Sequence, residues 1–140
     1  RQTLAGDAGD PSQWWDGRPF DRILADVPCT AGGIVRRHPD VKWLRRESDI
    51  ARFVAQQSRI LDALWPCVAH GGLLLYATCS VFDAENEAQI PPFAARHPEA
   101  FRESLTFAPD VARRGAQLLP SPAGAGHNQD GFFYALLRKP

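Results

Sequence analysis

"GGLLLYATCSVFDAENE", residues 71–87, decides how this chain is read. Its first nine residues are almost continuously apolar rather than alternating, the pattern of a strand buried on both faces of a parallel sheet. The run ends at Cys79, and polar and acidic residues follow. Residues 84–90 are predicted to form a helix, with acids in its first turn complementing the helix dipole. A cysteine just past a buried strand is, taken alone, more often a small hydrophobe than a nucleophile.

Working upstream, Ile50, Phe53, Val54, Leu61, Leu64, Trp65 and Val68 recur at helical spacing, with Gln57 the polar exception. Ser48 is the candidate N-cap, Gly71 the stop signal, and Pro66 is expected to kink or shorten the last turn. Before this helix, "FDRILAD" (20–26) reads as a short strand ending in Asp26, followed by the loop "VPCTAGG" (27–33). The opening "RQTLAGDAGD" reads as the end of a strand running into a loop. Downstream, Pro91 and Pro92 are expected to cut or bend the helix. A weaker strand is expected in "FRESLTF" (101–107), then a Pro/Gly/Ser-rich loop over about 109–130, and a final strand in "GFFYALLRK" (131–139).

Strands alternating with helices predict an α/β fold with a mostly parallel sheet covered by helices. Ligands in such sheets sit at the carboxyl ends of the strands. Asp26, Cys29 and Cys79 fall at the carboxyl ends of two strands joined by one crossover helix. They are therefore expected to meet in space, although 50 residues separate the two cysteines. Two thiols and a carboxylate at one place raise the odds of chemistry, because a loop near a helix N-terminus favours the reactive thiolate. Cys67, near the end of the amphipathic helix, is expected to be structural.

Composition bounds the alternatives. The 140 residues are 44% hydrophobic and 23% charged, which suits one globular domain. Sixteen basic residues balance sixteen acidic ones, so no global field holds the chain on nucleic acid or an anionic membrane. Any nucleic-acid contact must be local. Residues 36–46 supply a local basic patch: Arg36, Arg37, Lys42, Arg45 and Arg46 against Asp40, with His38 and Trp43 interleaved. It reads either as a solvated helix entrance or as a loop that contacts phosphates. Gly32 and Gly33 suit a tight turn, and Glu85, Asn86 and Glu87 read chiefly as helix caps.

No apolar run approaches the roughly 18 residues of a membrane span, and residues 1–20 lack a signal-peptide layout, so a cytoplasmic location without membrane contact is expected. The three cysteines, Cys29, Cys67 and Cys79, show no CxxC and no Cys/His pairing, so neither a metal site nor a disulfide framework is expected. A cysteine hydrolase would want a histidine as base, and none of the four histidines lies in either cysteine motif. The chain has no methionine and begins at Arg1, which reads like a piece of a longer protein.

"DVPCTAGG" (26–33), "RRHPDVKW" (36–43), the quoted stretch around Cys79 and "DGFF" (130–133) together resemble the RNA cytosine-5 methyltransferases, most closely the bacterial small-subunit ribosomal RNA enzymes of the Fmu/Sun type. The resemblance covers essentially the whole chain. It implies the class I, Rossmann-like, S-adenosylmethionine-dependent methyltransferase sheet. Residues 1–140 would be the C-terminal portion of a single catalytic domain. The first strands and the glycine-rich cofactor loop, together with an RNA-targeting domain, would lie upstream.

The implied reaction transfers a methyl group from S-adenosylmethionine to carbon-5 of a cytosine in small-subunit ribosomal RNA. Cys79 would attack carbon-6, which makes carbon-5 electron-rich. Asp26 would protonate or hydrogen-bond the cytosine ring nitrogen beside the methyl donor. Cys29 would resolve the adduct, Pro28 would fix the loop, and Asp7 would contact the cofactor's adenine, so Asp7, Asp26 and Pro28 form the cofactor set. Arg36, Arg37, His38 and Lys42 would contact RNA.

The alternative is a catalytically inactive RNA-binding module on the same fold, against which the retained Cys29, Cys79 and Asp26 argue. Without the glycine-rich loop, the 140 residues alone are expected neither to bind the cofactor tightly nor to methylate RNA. The strand at 20–26 is expected to have an unpaired edge open to self-association.

Overall fold

The computed structural model describes residues 2–105, 113–114, 117–121 and 128–140. Its strands are β1 (Phe20–Asp26), β2 (Val68–Thr78), β3 (Phe101–Glu103), β4 (Arg113–Arg114), β5 (Gln117–Leu118) and β6 (Phe132–Arg138); its α-helices are α1 (Val41–Leu44), α2 (Glu47–Leu64) and α3 (Ile90–Arg96). The sheet runs β1-β2-β6-β5-β4, with β3 also paired to β6. Residues 2–10 form no strand. The ends of the weak strand (106–107) and much of the loop expected over 109–130 lie outside the described residues.

The α/β class holds, but the sheet is mixed. Only β1 and β2 are parallel; β2 with β6, β3 with β6, β5 with β6 and β4 with β5 are antiparallel. The parallel pair is the part that a crossover helix joins, as handedness rules require. The last strand returns the other way between β2 and β5, which nothing in its own composition dictates.

Burial in β2 also differs from a strand covered on both faces. Leu74, Tyr76 and Thr78 are fully buried while the intervening Leu73 and Leu75 are only half-buried. The buried face packs on α2 and α3 through Ile60, Leu61, Leu64 and Phe93, with Phe133, Ala135 and Leu137 from β6. Trp65 meets Phe93 edge-on at 5.4 Å. On the opposite face the register sets Leu24 beside Leu75 and Leu75 beside Leu136. Leu24 is 66% exposed. β1 pairs only with β2 among the described residues, so its outer edge is open.

Three boundaries shift for physical reasons. Helix α2 starts at Glu47, with the Asp49 carboxylate accepting the Arg46 N–H at 3.0 Å, so Ser48 lies inside the first turn rather than capping it. It ends at Leu64, because Pro66 converts the next residues to a 3-10 turn; Val68 then opens β2 instead of continuing the helix. Gly71 is therefore a bulge residue within the strand, at φ +75°, rather than a helix stop. The helix expected at 84–90 is two 3-10 turns, Asp83–Glu85 and Glu87–Gln89. Pro91 and Pro92 occupy the first turn of α3, where their missing N–H groups have no intrahelical role, so they start a helix instead of breaking one. No described helix is long and apolar enough to cross a membrane.

Candidate active site

Parallel pairing sets Asp26 beside Ala77. The two strands thus deliver "DVPC" and "TCS" to the same end of the sheet, and the Val27 N–H continues the ladder to the Ala77 carbonyl at 3.1 Å. Cys29 Sγ and Cys79 Sγ are 3.4 Å apart. Cys29 is 9% exposed; Cys79 is the more open of the two. The convergence expected of Asp26, Cys29 and Cys79 is therefore present. Cys67 lies apart, buried in the 3-10 turn after α2 with its thiol toward the Ala63 carbonyl.

The two thiols titrate as a pair. The hydrogen bond from Cys79 lowers Cys29 from 9.0 to about 7, against the effect of burial and with help from the Ala31 and Cys79 backbone amides. Donating that bond pushes Cys79 up; burial and the negative charges of Cys29 and Asp26 push it further. The first thiolate thus rests on Cys29, and the Cys79 proton bridges the pair. Ala31 adopts a left-handed conformation, φ 62° and ψ 27°, which turns the chain sharply just after Cys29. For a residue with a Cβ this is an uncommon, mildly strained conformation, of the kind that clusters at working loops.

Beneath the thiols lies a carboxylate that the sequence disguises as a helix cap. Glu85 is fully buried. It accepts hydrogen bonds from the Thr30 N–H at 2.9 Å, the Thr30 hydroxyl, the Ser80 hydroxyl at 2.6 Å and the Gln57 amide at 3.1 Å. Thr30 follows Cys29 and Ser80 follows Cys79, so one carboxylate holds both cysteine loops. Gln57 also donates to the Pro28 carbonyl at 2.9 Å, which pins the loop from the helix side. The break in the apolar pattern at position 57 was the available signal: an amide on an inward helix face needs buried partners. Asn86 extends the knot, accepting from the Thr78 hydroxyl at 2.6 Å and donating to the Ser80 carbonyl at 3.0 Å.

A third motif closes over the pair. The Gly33 N–H reaches the Cys79 carbonyl and the Gly131 N–H reaches the Gly33 carbonyl, both at 2.8 Å. A Cβ on Gly33 would lie 2.1 Å from the Gly131 oxygen, so only glycine fits. Asp130, 7% exposed, pairs with both Arg36 and Arg37. Arg36 also donates to Asn128. Two of the residues expected to contact RNA are thus bound to the chain's own "DGFF" motif. His38 and Lys42 are exposed, and Lys42 forms no ion pair among the described residues. Arg45, by contrast, donates to the Thr30 carbonyl at 3.0 Å and lies over the Phe53 ring.

A cavity of about 430 Å³ adjoins Asp26, Val27 and Pro28 and extends past Ile23 and Ile60 to Gly6, Ala8 and Trp14. This volume lies within the range of small-molecule sites, about 300–1,000 Å³. Asp7 sits at its margin. Its neighbours Gly6 and Ala8 line the cavity, whereas its carboxylate accepts the Gly9 N–H at 2.8 Å and pairs with Arg59 at 2.9 Å. The Gly9 hydrogen bond, then Arg59, hold the Asp7 carboxyl below the usual range.

Comparison with known proteins addresses the family and the fold. The family model described as "16S rRNA methyltransferase RsmB/F" matches residues 1–138. Ribosomal RNA small subunit methyltransferase B of Yersinia pseudotuberculosis (serotype O:1b, strain IP 31758) is 49% identical over 134 residues, 96% of this chain and 30% of the relative. Among solved structures, PH0851 superposes with a TM-score of 0.79 at 33% identity, covering 94% of this chain and 29% of that one. NSun6 from Pyrococcus horikoshii with SFG gives a TM-score of 0.76 at 27% identity, covering 97% of this chain and 34% of that one. The chain spans about 30% of the length of the curated relatives it matches. From its motifs, its fold and these matches, the chain belongs to the 16S rRNA methyltransferase RsmB/F family.

Proposed function

We propose that the protein containing this chain methylates carbon-5 of a cytosine in small-subunit ribosomal RNA, with S-adenosylmethionine as donor and Cys79 as a covalent nucleophile. The observation that carries the reading is the meeting of two thiols, 3.4 Å apart, with Asp26 at the ends of two parallel strands. Family membership supports the substrate class, and the SFG-containing relative, SFG being a cofactor analogue, supports the donor. An RNA substrate of this kind also fits a cytoplasmic setting.

The cavity beside Asp26 and Pro28 fits a cofactor in size and in placement at the start of the Cys29 loop, with Asp7 at its far margin. When bound there, S-adenosylmethionine supplies the electrophilic methyl group. The chain's own residues do the rest. The Cys79 proton passes across the sulfur pair to Cys29, and the Cys79 thiolate forms a bond to carbon-6. The carbon-5=carbon-6 electron pair shifts into the ring, where a proton held by Asp26 neutralises the ring nitrogen. A negative charge on Asp26 would oppose a thiolate on Cys79, so the carboxyl serves the attack while it still holds that proton. After releasing the proton it took, Cys29 as thiolate accepts the carbon-5 proton. The carbon–hydrogen electrons re-form the carbon-5=carbon-6 bond, the sulfur–carbon bond breaks with its pair returning to Cys79 as thiolate, and the ring-nitrogen proton goes back to Asp26.

A second reading, with the cysteine roles reversed, is favoured by the bond from Cys79, which lowers the Cys29 thiol toward its reactive form. The greater burial of Cys29 weighs against it. The test uses the full-length protein with 16S ribosomal RNA and labelled cofactor. Cys79→Ala is expected to abolish turnover and Cys29→Ala to accumulate a denaturant-resistant protein–RNA adduct; the opposite pattern reverses the roles. Undiminished turnover of Cys79→Ala would sink the mechanism. The 140 residues alone contain no glycine-rich cofactor loop, and we propose that they do not methylate RNA; micromolar cofactor affinity by calorimetry would contradict this. Self-association through the open β1 edge is a separate proposal, refuted by a monomeric mass in concentrated solution.

A further inference from the structure

Two cavities adjoin successive parts of the peptide from Asp26 to Gly32. Asp26, Val27 and Pro28 line the one already described, while Thr30 and Gly32 line another of about 410 Å³. Cys29 lies between the two groups. The second cavity has apolar sides from Val35, Val41, Ile50, Val81 and Phe82, and Lys42, Arg45 and Arg46 stand at its edge with Glu47 as the one acid. The Phe82 ring is 44% exposed and rests against Gly32, where an added Cβ would come within 3.2 Å of it. Arg45 is committed to the Thr30 carbonyl and the Phe53 ring. Lys42 and Arg46 form no ion pair among the described residues.

We propose that this cavity holds a nucleotide next to the target cytosine in the RNA strand, its base on the Phe82 ring and its phosphate on Lys42 and Arg46. An aromatic platform with exposed cations at its rim is the combination by which single-stranded nucleic acid is held. The position suits a neighbour: once the target is drawn toward the thiols, the adjoining residue falls beside the later part of the loop, where no methyl donor competes for space. An enzyme that extracts a base from its stack must offer the bared neighbour a new surface. The proposal rests on the reaction proposed above and adds where the RNA lies relative to it.

The test uses the full-length protein and an oligoribonucleotide carrying its target cytosine. Phe82→Ala is expected to raise the KM for RNA about ten-fold, the loss of one stacked base, with kcat within about two-fold and cofactor affinity unchanged. Phe82→Trp is expected to restore the KM. RNA with an abasic residue on one side of the target is expected to lose about ten-fold with the wild-type protein but less than about two-fold further with Phe82→Ala. An unchanged KM for Phe82→Ala overturns the proposal, as do abasic losses that multiply fully with it on both sides of the target. Cys79→Ala, assayed alongside, separates the failures. If it is inactive while Phe82→Ala behaves as wild type, only the subsite is wrong; if it remains active, the reaction itself is wrong.

Discussion

Two regions touch the cysteine loops and answer opposite requirements. Below lies the knot of Glu85, Gln57, Thr30 and Ser80, where a fully buried carboxylate meets four donors from the chain itself. Above lies the basic segment 36–46, with most of its charge in solvent. A buried charge must be answered internally, because leaving it unpaired costs several kcal/mol. An exposed cation has no such need and stays available to a polyanion. Arg36 and Arg37 cross this line: adjacent in sequence to the open cations, they pair with the nearly buried Asp130 and act as fasteners for the "DGFF" motif. Proximity in sequence to Lys42 is a poor guide to role; the partner is the better one.

The comparison is most strongly tested at Glu85. Glu85→Gln turns one acceptor oxygen into a donor facing donors. It is expected to lower stability by about 2–4 kcal/mol in denaturant unfolding and kcat by about a hundred-fold, since both cysteine loops lose their anchor. Wild-type stability would show that the knot does not hold the loops. Next come the thiols. Because Cys29 ionises near 7 through the bond from Cys79, Cys29 thiolate should appear as pH rises through about 7. In Cys79→Ala that rise should move up toward 9.0, the direction set by losing the largest cause of the depression. The difference in thiolate absorbance between each protein and its counterpart carrying Cys29→Ala measures this, and an unmoved midpoint would break the pairing.

Asp130→Asn should release both guanidinium groups. A stability loss of about 1–3 kcal/mol is expected, and the salt dependence of RNA binding should steepen by up to about two counterions. No steepening would mean the freed arginines remain turned from RNA. The smallest effect belongs to Lys42→Ala: affinity a few-fold weaker and the salt slope lower by about one, with no change in stability. A loss of stability there would move Lys42 to the fastened side.

The chain's patterns made some of this legible and not the rest. Apolar runs marked β1, β2 and β6, and helical spacing marked α2, because burial leaves a periodic trace in residue type. The meeting of Asp26, Cys29 and Cys79 followed from topology. The direction of β6 did not, since an apolar strand reads alike either way. Leu73 and Leu75 look as buried as Leu74, because composition reports what a residue tolerates and not what covers it. Pro91 and Pro92 carry two meanings, stop and start, and only the preceding 3-10 turns decide between them. Glu85 was hidden for the same reason: an acid near a helix start looks like a cap until its four donors arrive from segments far apart in sequence.

Gly33 and Gly131 have a consequence for the order of assembly. Their contact joins the first cysteine loop to the entrance of the last strand, and that strand occupies the middle of the sheet rather than its margin. During synthesis the segment carrying Cys29 is made well before the one that seals it. Until the late segment docks, the thiols lack their cover and the early loop lacks its clamp. The chain therefore postpones its own reactivity: the centre can form only after almost all of these residues have left the ribosome, and an interrupted copy carries both cysteines without the setting that makes them a pair.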